Sequence, residues 1–399
     1  MKERLSRRRG ISVAISTPGK AKAATVRCLT MAIMCAAGPT AWGERPLYWD
    51  VNFLLPGAGG PVAAGMWDLA VSPNWSPDPA GAMPTGFWVP GSTAVFSAGA
   101  DAVGVFGVGI PAGLVIPGVD GIGFEEGAVA VVGGPGSGIM LTLPLISTAP
   151  LIAADIDVPI GGPGVGLTKL GAGMLTINAT PPGPLAVAAG SLVIDVGAPP
   201  AVNVVPALAL AGGAAPVVTL DINNNAFVVD YAPADPSPLP VIMAQIASAY
   251  AGGTWAGAGI TTSMGTPASF GVGYAEAAAL PVVPPIFGPV DATSVLLRFT
   301  RYGDADLDGV VGLADFNRLA GSFGTAGNDW SEGNFNYDAA GIVNLADFNL
   351  LAANFGLIAG PDATVDPEDW AALAAAVPEP GVALPVGLLL TALRRARRR

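Results

Sequence analysis

The chain has 399 residues, of which 51% are hydrophobic and only 12% charged, so it carries apolar material for a core and is no solvated, disordered polymer. Its net charge of -12 is unevenly placed: eight of the 18 Lys and Arg precede Trp42, five more fall within residues 394–399, and between them Arg45, Lys169, Arg298, Arg301 and Arg318 face 29 acidic residues. A body so poor in cations cannot neutralise a phosphate backbone, which excludes nucleic acid as a partner and favours divalent cations.

The N-terminus is a long basic region followed by the apolar run Cys28 to Ala37 and then Ala41-Trp42-Gly43, with small residues at the two positions a signal peptidase reads. Residues 1–43 are therefore expected to be a secretory signal peptide, which implies export. Both cysteines, Cys28 and Cys35, fall inside it, so the mature chain has no thiol or disulfide chemistry.

Residues 44–300 show short Val, Ile, Leu and Thr runs punctuated by Gly, Pro and Asn, the pattern of many short strands. One helix is expected over Val241 to Tyr250, after the Pro-rich turn at residues 236–240, and a strand over Asp291 to Thr300. In Gly166 to Asn178, Leu167 and Lys169, then Met174 and Thr176, alternate against Leu175 and Ile177 around a Gly-Ala-Gly corner, and Ala189 to Asp195 follows. This segment resembles the autotransporter-associated β-strand repeat, with looser companions at residues 121–127 and 153–158. The resemblance implies a mainly β fold: a parallel β-helix, or solenoid-like domain, whose coils bury their faces on one another and need end caps. Trp49, Trp67, Trp75 and Trp88 supply an aromatic-rich start to that domain, read as packing in preference to a platform for sugar rings.

The strongest chemical signal lies in Asp304, Asp306, Asp308 and Asp315. Carboxylates at positions 1, 3, 5 and 12 of a loop, with Gly309 at position 6, wrap a Ca2+ ion while the chain turns sharply. Val310 stands at position 7, where a backbone carbonyl serves as ligand. The following segment, with apolar residues at 313, 316, 319 and 323, is expected to be a helix. It recurs 32 residues later with nine of twelve residues identical. The tandem resembles a type I dockerin, which implies a small α-helical domain of paired EF-hand-type loop-helix units at residues 301–358 and a cohesin-like or other envelope protein as partner. The second loop departs from the pattern: Asn334, Asn336 and Asp338 fit positions 1, 3 and 5, but Ala339 and Ala340 intrude before Gly341, and Asp347 comes two residues late. A second register, starting at Asn336, is also open. Either way this loop offers fewer charges and is expected to bind more weakly.

After a linker at residues 359–377 come Val377-Pro378-Glu379-Pro380, an apolar stretch of thirteen residues and an arginine cluster. That stretch is short for a bilayer span, which needs about 20 residues. The order resembles the PEP-CTERM sorting signal of Gram-negative bacteria. It implies that residues 378–399 anchor the chain transiently in the inner membrane and are removed by an exosortase-type protease. A simple tail anchor is the other reading.

Histidine is absent, Lys169 is the sole lysine of the mature chain, and no Gly-x-Ser-x-Gly elbow occurs, so no enzyme is expected. The reading that results is an exported, calcium-binding structural or adhesion protein of the cell surface or extracellular matrix. A polysaccharide-binding or polysaccharide-degrading protein is the alternative.

Overall fold

Short β-branched runs interrupted by turn residues build sheets of many small strands, and the computed structural model is mainly β. It describes residues 45–162 and 164–358; the expected signal peptide, linker and sorting tail lie outside the described residues. Two large sheets run through most of the chain. In the ten-stranded one, Ser92–Phe96, Val115–Phe124, Leu145–Thr148, Leu167–Leu170, Leu185–Val187 and Leu208–Leu210 pair successively in parallel. In the eight-stranded one, Val105–Ile110, Ala128–Gly133, Ala153–Asp157, Met174–Ile177, Ser191–Ile194, Thr219–Asp221 and Gly259–Thr261 do the same. Parallel neighbours need a crossover, and here the strand in the opposite sheet supplies it. Leu167–Leu170 and Met174–Ile177, which flank the Gly-Ala-Gly corner, therefore belong to different sheets and form no hairpin. The corner requires its glycines: Gly171 has φ +72°, and a Cβ there would lie 2.2 Å from the Thr148 carbonyl oxygen of the preceding turn.

In-register pairing stacks like residues into columns that form the core. Val108, Val131, Ile156, Ile177 and Ile194 make one continuous buried column. Leu175, Leu192, Leu220 and Ile260 make another. A third column, in the ten-stranded sheet, runs Ala94, Ile122, Ile146, Lys169, Val187, Leu210, so a lysine takes an inward position among aliphatic neighbours. Leu167 and Lys169 face the same interior as Leu175 and Ile177, while Met174 and Thr176 point outward. The Lys169 ammonium turns back to the corner and donates to the carbonyls of Leu170, Gly171, Gly173 and Ala189 at 2.8–3.3 Å. Burial pushes its pKa down to about 8.

At the start of the sheets, Trp49, Trp67, Trp75 and Trp88 are all buried around Phe96. Their ring centroids lie 5.0–5.2 Å apart in edge-to-face geometry, the arrangement that aligns ring edges with π faces. They pack, as their clustering suggested. At the other end, Val202–Val205, Ala226–Asp230, Ser294–Arg301 and Phe270–Glu276 form a four-stranded mixed sheet in that order. Helix α1 (Leu239–Tyr250) starts two residues earlier than expected and lies against Gly259–Thr261, the last strand of the eight-stranded sheet. No helix among the described residues is long and apolar enough to cross a membrane.

Candidate metal centre

Strand Ser294–Arg301 runs almost directly into the first acidic loop, which leads into helix α2 (Leu313–Ser322). The loop is shaped by its own side chains. Asp315, in the first turn of α2, accepts hydrogen bonds at Oδ1 from the backbone N–H of Ala305 and Asp306 and at Oδ2 from that of Gly312. Asp306 accepts from Asp308 N–H at 3.2 Å, and Asp308 from Val310 N–H at 2.7 Å. Leu307 adopts a left-handed φ of 61° between them. Gly309 has φ 92°, a left-handed conformation that strains any residue with a side chain, and a Cβ there would also push on the Arg298 guanidinium, 2.5 Å away.

This winding brings carboxylate oxygens of Asp304, Asp306 and Asp315 within 4.8 Å of one another. Asp304 and Asp315 are buried and Asp306 half-buried, whereas Asp308 is exposed and outside the converging group. Asp304 Oδ2 is held by the Thr300 hydroxyl and by Gly309 N–H. Its Oδ1 is buried with no hydrogen-bond partner. Burial, reinforced by Asp308 and Asp306, raises the Asp304 pKa to about 7 despite Thr300 and Arg298. Burial also raises Asp306, with Asp308 adding to it, and holds Asp315 well above the usual carboxylate range, with Asp304 and Asp306 adding to it. Three crowded carboxylates and an orphaned buried oxygen are what a hard cation would relieve, and an all-oxygen donor set suits calcium or magnesium over softer metals.

The second loop has the same scaffold with weaker chemistry. Asp347 accepts at Oδ1 from Phe335 and Asn336 N–H and at Oδ2 from Asn344 N–H, at the start of helix α3 (Leu345–Asn354). Asn334 and Asn336 both accept from Asp338 N–H, Asp338 accepts from Ala340 N–H, and Tyr337 repeats the left-handed φ at 55°. Asn334, Asn336 and Asp338 thus match Asp304, Asp306 and Asp308 in the first of the two registers considered. Ala339 and Ala340 add length beyond them. Burial raises the Asp347 pKa, opposed by the N–H groups of Asn344, Asn336 and Phe335.

The two units are joined reciprocally. Val343 in the second loop accepts from Gly324, just after α2, at 2.8 Å, and Val311 in the first accepts from Gly356, just after α3, at 2.7 Å. Val343 and Val311 in turn donate to Thr325 and Leu357. Of the four apolar positions expected on one face of α2, Phe316 and Leu319 are buried but Leu313 and Phe323 are exposed. Phe323 has already left the helix, with ψ 127°.

Several residues that shape the site lie outside the loop motif. Thr300 and Arg298 reach the first loop from the strand, the latter donating to Leu307 O at 2.6 Å. Trp330 Nε1 donates to Asp304 O at 2.6 Å. No spacing in the sequence marks them, because they meet the loop only through tertiary packing. No family model matches the chain, and no curated protein and no solved structure matches it.

Proposed function

We propose that this is an exported structural or adhesion protein of a bacterial surface or matrix: a β-solenoid followed by a calcium-binding, dockerin-like pair of loop-helix units. The single observation that carries the reading is the convergence of Asp304, Asp306 and Asp315 in a loop whose following helix segment recurs 32 residues on. When bound, calcium would supply the positive charge that lets these carboxylates ionise together, with Asp308 and the Val310 carbonyl available to complete the shell. In-register aliphatic columns support the solenoid part, since each coil can bury its face only on the next. Sorting by an exosortase-type protease, and a cohesin-like or envelope protein as partner of the loop-helix pair, belong to the same proposal.

Catalysis has little to work with: the chain lacks histidine, and the Lys169 ammonium is saturated by carbonyls. The polysaccharide alternative would be served by exposed tryptophans, yet all six among the described residues are buried. Fractionation of producing cells tests the proposal. The protein is expected in the envelope-associated fraction and released by a calcium chelator, with an Asp304→Asn/Asp315→Asn variant shed into the medium. Retention inside the cell, or surface association indifferent to both chelator and substitution, would overturn it.

A further inference from the structure

Resting on the calcium reading, we infer that the loop-helix pair is a cation-set clamp on the terminal sheet, so that filling the first loop, which is anchored on strand Ser294–Arg301, closes the edge strand Phe270–Glu276. Phe270–Glu276 pairs with Ser294–Arg301 on one side. On its other side, the Tyr337 hydroxyl donates to Val272 O and accepts from Val272 N–H, both at 3.1 Å. One phenol from the second loop thus takes both backbone groups of Val272, where a neighbouring strand would otherwise stand.

The sequence of the edge strand is cut to receive the loops. A Cβ at Gly271 would lie 2.6 Å from the Tyr337 hydroxyl, and one at Gly273 would lie 2.7 Å from Leu307 and 2.8 Å from Trp330 Nε1. Only a Gly-Val-Gly strand lets side chains from both loops rest on it. Trp330 and Tyr337 then share an aromatic core with Tyr250, Trp255 and Tyr274 from the β-region and with Tyr302, just after strand Ser294–Arg301, with centroids 4.7–6.4 Å apart.

The first loop is bound to the other strand at its candidate ligand. Asp304 is tied through Oδ2 to Thr300 and through its backbone carbonyl to Trp330, leaving the buried Oδ1 orphaned. A cation engaging that oxygen would act on a residue already fixed to the strand and to the aromatic core. Arg298, on the same strand, holds the middle of the loop through Leu307 O. Asn354 at the end of α3 adds a bond to Ala268 O at 2.9 Å. Ordering the loop and covering the sheet edge are therefore one event.

Hydrogen exchange on the full chain, in CaCl2 and in EGTA, tests this. Amides of residues 270–276 and 294–301 are expected to gain protection together with residues 303–356, by up to about 100-fold at calcium one hundred times its Kd. Tyr337→Phe, which leaves every candidate ligand in place, is expected to keep the calcium-dependent gain around residues 304–315 and to lose most of it at 270–276. Gain confined to residues 303–356 in the wild type, or full gain at 270–276 in Tyr337→Phe, would overturn the clamp while leaving calcium binding intact. No calcium-dependent change anywhere would remove the calcium reading and the clamp together.

Discussion

Asp315 and Asp347 close two loops of different length in the same way. Each accepts backbone N–H groups from two residues at the loop's start and from the residue just before its helix. The extra pair, Ala339 and Ala340, is absorbed after Asp338, so the first half of each loop keeps one geometry. Charge, more than shape, then separates the two sites. Asn334→Asp/Asn336→Asp is expected to tighten calcium binding at the second loop by at least about tenfold, or ~1.4 kcal/mol. A titration in which the weaker phase is unchanged would show that the inserted alanines, and not the missing carboxylates, disable it.

Two glycines make the first loop and its seat. Gly309→Ala strains a φ of 92° and drives a methyl into Arg298, so the variant should bind calcium much more weakly while its β-region stays folded. Gly273→Ala has no such backbone strain; its methyl meets Leu307, Trp330 and Thr300, and a loss of about 1–3 kcal/mol is expected from overpacking. Chemical denaturation of both variants, alongside calcium titration, separates the two effects. Unchanged stability in Gly273→Ala would mean that the loops stand farther from the strand than described.

Lys169 gives the β-region a pH dependence of unusual sign. Its folded pKa, about 8, lies below the roughly 10.4 of an unfolded lysine, so the unfolded chain binds more protons between these values. The cost of burying the ammonium is fully present below pH 8 and disappears above about 10.4, so stability should rise with pH across that window by no more than ~3 kcal/mol. The carbonyl cage favours the charged form and trims this figure. Comparison with Lys169→Met isolates the term, since the variant lacks the titrating group. A wild-type slope no steeper than that of Lys169→Met between pH 8 and 10 would contradict the assignment.

Trp75 touches Trp49, Trp67, Trp88 and Phe96, with centroids 5.0–5.6 Å away. Trp75→Ala is expected to lose about 3–5 kcal/mol by denaturant unfolding. A loss below ~1 kcal/mol would show that the aromatic cluster is not the core of that end.

Much of this was legible in the sequence, for reasons that also explain what was not. Period-2 patterning around residues 167–177 announced the strands, and the Gly-Ala-Gly corner announced the turn between them. The inward place of Lys169 was hidden, because a lysine in an alternating strand reads as solvent-facing unless the carbonyls that receive it are known. Liganding carboxylates at fixed spacing in the first loop, followed by a helix segment that recurs after 32 residues, exposed the loops. Thr300, Arg298, Trp330 and Tyr337 carried no such mark, since their roles come from packing between segments distant in sequence. Phe323 was assigned to the face of α2 by periodicity, yet the chain turns extended there and leaves it exposed.

Whether Asp304, Asp306 and Asp315 form the principal cation site is decided by calorimetric titration of the full chain with calcium. Asp304→Asn and Asp347→Asn are to be compared with the wild type. Asp304→Asn is expected to abolish the tighter binding event and Asp347→Asn to leave it in place. Loss of the tighter event in Asp347→Asn but not in Asp304→Asn, or identical titrations for all three proteins, would contradict it.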